Sequence, residues 1–138
     1  MKTIVFACVH NAGRSQMAAG FFNALADASQ AQALSAGTKP AAAIQPPVLA
    51  AMREVGIDLS SAKPVLLTRE QIAKAERVVT MGCGEDCPYV PGARFEDWPL
   101  DDPKGQSIED VRRIRDEIRA RVEALLVVEG WRGARSPR

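Results

Sequence analysis

The chain has 138 residues, with 18 lysines and arginines against 17 aspartates and glutamates, for a formal net charge of +1. That length suits one domain, and 46% hydrophobic with 25% charged residues is ordinary for a soluble globular protein. The near-neutral balance supplies no electrostatic footprint for nucleic acid or an anionic membrane, and no apolar run approaches the ~20 residues that span a bilayer.

Met1 to Ala7 carry one charge and an apolar run too short for a secretory signal. The cysteines number three, an odd set that fits thiol chemistry in a reducing cytoplasm better than a secreted disulfide framework. The chain is therefore read as cytoplasmic.

The run Thr3 to Ala7 predicts a buried strand, followed by a polar, glycine-containing loop over His10-Asn11-Ala12-Gly13. From Ser15, the spacing of Met17, Phe21, Phe22 and Leu25 suits one face of a helix. A weak strand follows at Ala33 to Ala36. Pro46 and Pro47 open a helix with Leu49, Met52 and Val55 on its apolar face and Gly56 at its C′ position. Thr68-x-x-Gln71 is a capping box before a short helix, and Val78 to Met81 reads as a further buried strand. Arg94 to Trp98 is read as an edge strand. Ser107-x-x-Asp110 caps a last helix whose Val111, Ile114, Ile118, Val122 and Leu125 recur every three or four residues, with Glu109–Arg113 and Glu117–Arg121 as expected pairs. The reading is one domain over 1–130 and a flexible basic tail over 131–138. Alternating strands and helices imply an α/β fold with a parallel sheet and helices on both faces.

The densest chemical signal is Cys8-Val9-His10-Asn11-Ala12-Gly13-Arg14-Ser15, placed between a strand end and a helix start. Backbone N–H groups curling there form an anion-binding nest, and the helix N-terminus adds partial positive charge. Arg14 offers a bidentate fork to a tetrahedral oxyanion. The same field favours a thiolate, so Cys8 is predicted to be nucleophilic, with Ser15 hydrogen-bonding its sulfur. A buried cysteine after a strand is the bland alternative, and Arg14-Ser15 at this distance argues against it. His10, with no evident carboxylate partner, is read as shaping the loop.

Cys83 and Cys87 follow the third strand, in a loop that a parallel sheet brings to the same edge as Cys8. Their offset of one helical turn lets the sulfurs approach, and glycines on both sides of Cys83 are read as giving the segment freedom to rearrange. A zinc site of Cys8, His10, Cys83 and Cys87 is the rival. Its Cys-x-His spacing is unusual and Arg14 would direct a cation at the metal, so no metal is expected. Asp101-Asp102-Pro103 is a turn signal by itself, yet a carboxyl group there could protonate a leaving oxygen. Between the two aspartates the following proline favours Asp102.

Together these residues resemble the arsenate reductases of the low-molecular-weight tyrosine phosphatase superfamily. The resemblance runs through Cys-x5-Arg-Ser-Gln-Met-Ala at 8–18, Ser35-Ala36-Gly37, Thr80-Met81-Gly82-Cys83, Trp98 with Asp102-Pro103, and Arg115-Asp116-Glu117-Ile118. It implies a three-layer α/β sandwich built on a four-stranded parallel sheet. It also implies that the amides of Val9 to Gly13 and Arg14 hold arsenate while Cys8 attacks and Asp102 protonates the leaving hydroxyl. Cys83 would then attack Cys8 to release arsenite, and Cys87 would attack Cys83, leaving a disulfide for thioredoxin. No tightly bound cofactor and a monomer are expected. An external thiol such as mycothiol or glutathione in place of the relay, and plain phosphatase action, remain alternatives. Relatives that bind potassium beside the loop carry a glutamate where this chain has Ala19. Phosphatase relatives place an aromatic residue where it has Lys104.

Overall fold

The computed structural model describes residues 1–82, 88 and 90–133. Strand β1 (Lys2–Cys8) is buried on both sides: Ile4, Phe6 and Cys8 face one layer of core, Val5 and Ala7 the other, as the two-residue period of a strand requires. It pairs in parallel with β2 (Ala31–Gly37) and with β3 (Arg77–Thr80), and β4 (Phe95–Asp97) adds to β3. The order is β2-β1-β3-β4, the four-stranded parallel sheet expected. The ladder explains the length of β2, read from sequence as a weak strand over 33–36. Lys2 to Cys8 supply partners for all of Ala31 to Gly37.

Helices α1 (Arg14–Leu25), α2 (Pro46–Glu54) and α4 (Ile108–Glu129) cover one face of the sheet, and the short α3 (Arg69–Lys74) covers the other through Ile72. On the larger side Phe6 meets Phe22 edge-on at 6.0 Å between ring centroids and Trp98 at 5.6 Å. Such ring contacts add about 0.5–1.5 kcal/mol each beyond the area they bury. Local signals act where they were expected. Thr68 and Gln71 form the reciprocal capping box of α3. Ser107 accepts from the Asp110 N–H at the start of α4, and Gly56 follows α2 in the left-handed region at φ 82°.

Two expectations are corrected. Arg113 does not pair with Glu109 but reaches Asp101, Asp110 and Glu117, and Arg121 lies over the Trp98 ring rather than against Glu117. The fraying predicted from residue 131 does not begin there. Trp131 is 8% exposed and packs on Phe22, its carbonyl accepts from the Asp27 N–H, and Gly133 N–H donates to Leu25. One large aromatic ring, missed as an anchor, holds this segment to α1. Residues 134–138 lie outside the described residues.

Arg115 locks α2 onto α4. Buried at 8% exposure, it donates to the Ala51 carbonyl and to Glu54, which Arg112 also grips. Hydrogen bonds from Arg112, then Arg115, hold the Glu54 carboxyl at about 2 against its ordinary 4.5. A carboxylate whose pKa is lowered by folding stabilises the fold above its unfolded value, and that stabilisation is lost as pH falls through the folded one. Urea titrations of wild type and Glu54→Gln are therefore expected to differ most above pH 4.5 and to converge towards pH 2. A constant difference across that window would show that Glu54 acts by packing alone.

Candidate active site

Parallel pairing sets the carboxyl ends of the strands side by side, with Cys8 opposite Gly37 and Ala7 opposite Thr80. Every candidate group described lies along this edge, where open α/β sheets bind ligands. The loop after β1 is shaped by where its carbonyls go. Those of Cys8, Val9, His10 and Ala12 accept from the backbone N–H groups of Thr38, Lys39, Ala41 and Gln45, and that of Asn11 accepts from the Gln16 side chain. The Gly13 carbonyl accepts from Met17 N–H, within α1. With its carbonyls fastened outward, the loop keeps its amides for its concave side, the geometry of an anion nest. The N-terminus of α1 adds to the same field, since no side chain caps it and no acidic residue stands in its first turn.

Close approach makes this packing possible. A Cβ on Gly37 would lie 2.6 Å from the Val9 carbonyl oxygen, and one on Gly13 would lie 2.9 Å from the Pro103 ring. Asn11 holds the tightest bend at φ 52°, a left-handed conformation that asparagine tolerates better than most residues.

Cys8 is 3% exposed, and its Sγ lies 2.8 Å from Ser15 Oγ. Asn11 Nδ2 donates to that same hydroxyl at 2.7 Å. With Asn11 donating to it, the Ser15 oxygen is free to send its own proton to the sulfur, a bond that a thiolate accepts more strongly than a thiol. Arg14 has a side chain only 10% exposed; its Nη1 donates to the Leu100 carbonyl, and Nη2 stands 3.6 Å from Asp102 Oδ2. Its Nε is buried without a partner. Such a group costs about 1–3 kcal/mol when left unpaired, so the guanidinium is poised to receive an acceptor.

Asp101 and Asp102 separate clearly. Asp101 turns out to Arg113 on α4, whereas Asp102 lies by Arg14, with its other oxygen accepting from Lys104 N–H. His10 Nδ1 lies 3.2 Å from the Lys39 carbonyl, which makes that nitrogen the donor and ties the ring to the loop's flank. Val9 and His10 are half-buried, and Asn11 to Ser15 are buried. Cys83 and Cys87 lie outside the described residues. The described chain runs to Gly82, where an added Cβ would sit 2.5 Å from Arg14 Nη1 and φ is +87°. This glycine was read as a source of freedom; its place against Arg14 supplies a steric reason for it. Sequence reasoning also missed Gln16, Gly37 and the 38–45 segment. Gln16 and Gly37 were present in the matched segments 8–18 and Ser35-Ala36-Gly37, but without a role.

A strand-loop-helix unit with a buried cysteine, an outward-tied loop and a sequestered arginine has the geometry of a candidate oxyanion site. The model of the low molecular weight phosphotyrosine protein phosphatases matches residues 3–87, and the chain belongs to that family. It is 38% identical over 121 residues, 85% of each chain, to the putative arsenate reductase of Halobacterium salinarum. To the glutaredoxin arsenate reductase of Synechocystis it is 37% identical over 129 residues, 91% of this chain and 97% of that one. The solved thioredoxin-dependent arsenate reductase of Corynebacterium glutamicum matches with a TM-score of 0.77 and 37% identity over 93% of this chain. This chain spans 61% of the Corynebacterium one.

Gly82→Ala is expected to push Arg14 out of the site. Calorimetric titration with inorganic phosphate should show about tenfold weaker binding, ~1.4 kcal/mol. Unchanged affinity would mean that Arg14 does not contact the anion.

Proposed function

We propose that the chain is an arsenate reductase in which Cys8 is the nucleophile and Cys83 and Cys87 carry the oxidation away. The observation that carries this reading is the buried Cys8–Ser15–Asn11 chain beneath a loop whose carbonyls are all directed outward. Relatives along most of its length support the substrate, since those named above are arsenate reductases.

Arsenate sits in the loop of Val9 to Gly13, held by backbone amides and by Arg14, whose Nε has no other partner and whose Nη2 also faces Asp102. Cys8 Sγ attacks arsenic, and Asp102 protonates the departing hydroxyl, which leaves as water. The thiolate of Cys83 then attacks Cys8 Sγ. A Cys8–Cys83 disulfide forms as the S–As bond breaks, and its electron pair stays on arsenic, which leaves as arsenite. Cys87 attacks Cys83 next, freeing the Cys8 thiolate and leaving a Cys83–Cys87 disulfide. Two electrons reduce arsenic, two thiols supply them, and the third exports the oxidation. Gly82 against Arg14 supports a role for Cys83, which follows it directly in the sequence.

The reductant proposed is thioredoxin, as for the Corynebacterium relative; the Synechocystis relative is named for glutaredoxin. A small thiol such as mycothiol or glutathione that attacked the arseno-Cys8 adduct itself would make Cys83 and Cys87 dispensable. Phosphatase action has one specific observation in its favour: Cys8, Arg14 and Asp102 suffice for it, and the family is named for it.

Cys87→Ser is expected to complete one turnover and accumulate a Cys8–Cys83 disulfide, read by mass spectrometry after arsenate is added. Without that link the relay is wrong, and multiple turnover of this variant with glutathione would put a small thiol in its place. Asp102→Asn should lower the rate of arsenate reduction by about 10²–10⁴-fold, the usual worth of a positioned acid. Asp101→Asn should change it little, since Asp101 faces Arg113. Equal losses in stopped-flow traces of the two variants would remove Asp102 from its role.

A further inference from the structure

Gln16 stands behind the nucleophile without touching it. It is 4% exposed, and its Nε2 donates to the Asn11 carbonyl at 3.1 Å, to Asn11 Oδ1 at 3.1 Å and to the Lys63 carbonyl at 3.3 Å. The orientation of this amide is unambiguous, because turning it over would set a carbonyl oxygen against three others. Asn11 Oδ1 also accepts from the Val65 N–H at 3.0 Å. Two N–H donors thus face the oxygen end of the Asn11 side chain, and its NH2 end must face Ser15. A reversed Asn11 would offer its NH2 to two donors and leave Ser15 facing an acceptor. The Ser15 proton would then turn to Asn11 and away from Cys8.

We propose that Gln16 is a positioning residue for the nucleophile: its amide holds Asn11 in the orientation that sends the Ser15 hydroxyl proton to the Cys8 sulfur. The proposal rests on Cys8 being the nucleophile of the reaction above, though not on the identity of the oxyanion. The backbone of the strap from Lys63 to Leu67 shares the task. Its Lys63 carbonyl and Val65 N–H bind Gln16 and Asn11, while Gly37 holds the strap through bonds to Val65 and Leu67. Gln16 is the one side chain in this set, so it is the member that substitution can remove. Asn11 Oδ1, engaged by two donors, is directed at N–H groups.

The test uses the full chain carrying Cys83→Ser and Cys87→Ser, which leaves Cys8 as its single thiol, and follows alkylation by iodoacetamide against pH. Gln16→Leu is expected to raise the pH midpoint of alkylation by roughly one unit, about tenfold in reactive fraction at lower pH. In a Ser15→Ala background the same substitution should add no further shift, since the two act through one chain. An unchanged midpoint, or an equal shift without Ser15, would overturn the proposal. Gln16→Met, closer in length, replaces Gln16→Leu if the latter does not fold. The chain with unsubstituted Gln16 gives an independent readout by NMR: the side-chain amide signals of Gln16 and Asn11 should titrate with the Cys8 midpoint. Signals that stay fixed through that midpoint would overturn it too. If the predicted shifts appear but the wild-type chain reduces no arsenate, the reductase reading fails and the role of Gln16 stands.

Discussion

The site depends on one constraint: every backbone carbonyl from Cys8 to Gly13 is tied to a donor outside the loop. A buried peptide group left unpaired is costly, so the loop cannot turn its carbonyls inward without stranding both them and their partners in the 38–45 segment and at the start of α1. That arrangement turns a run of ordinary residues into a concave surface of N–H groups. It also explains why Gly37 meets this loop at such short range, where a side chain would displace the Val9 carbonyl. The candidate oxyanion site is thus preorganised by what lies behind it.

The same economy governs the arginine and the thiol. The Leu100 carbonyl takes one guanidinium nitrogen and fixes the plane of the fork, leaving Nε unpaired. Gly82 lets β3 end directly against that fork. On the thiol side, Ser15 and Asn11 form a short file of donors ending at sulfur, sealed from water by the core that Cys8 shares with α1. A hydrogen bond in such a place is electrostatically stronger than in water.

How far the sequence revealed this follows from the range of each interaction. Local signals were readable because they lie within one or two turns: the capping box at Thr68 and Gln71, the cap at Ser107, the left-handed Gly56 after α2 and the buried run of β1. The Cys8-to-Ser15 segment was legible for the same reason. What sequence reading missed joins residues far apart in the chain. Gln16 reaches Lys63, Arg14 reaches Leu100, and Arg113 turns from its helical neighbour Glu109 to Asp101. Gly82 carries a further lesson. Its glycine next to a cysteine suggested flexibility, while the structure places it where a guanidinium leaves no room. Trp131 was lost in a tail read by its arginines, although a single ring among charges is enough to dock a segment.

A site of this kind commits the chemistry only through its first step. In the proposed reaction the loop, Arg14 and Asp102 carry out substitution at a tetrahedral oxyanion, and such a set would serve phosphorus and arsenic alike, because both present the same oxygens to the same amides. The outcome is set by the second nucleophile and by the atom it strikes. Water attacking the central atom of the adduct returns the oxyanion unchanged in oxidation state, and the enzyme is a hydrolase. A thiol attacking Cys8 sulfur leaves the bonding pair on the central atom, and the enzyme is a reductase. Arsenic accepts that pair readily; phosphate does not under biological conditions. One scaffold can therefore host both reactions without altering its anion loop. In the proposed reaction the decision falls to the segment that begins after Gly82, beside the guanidinium that holds the substrate.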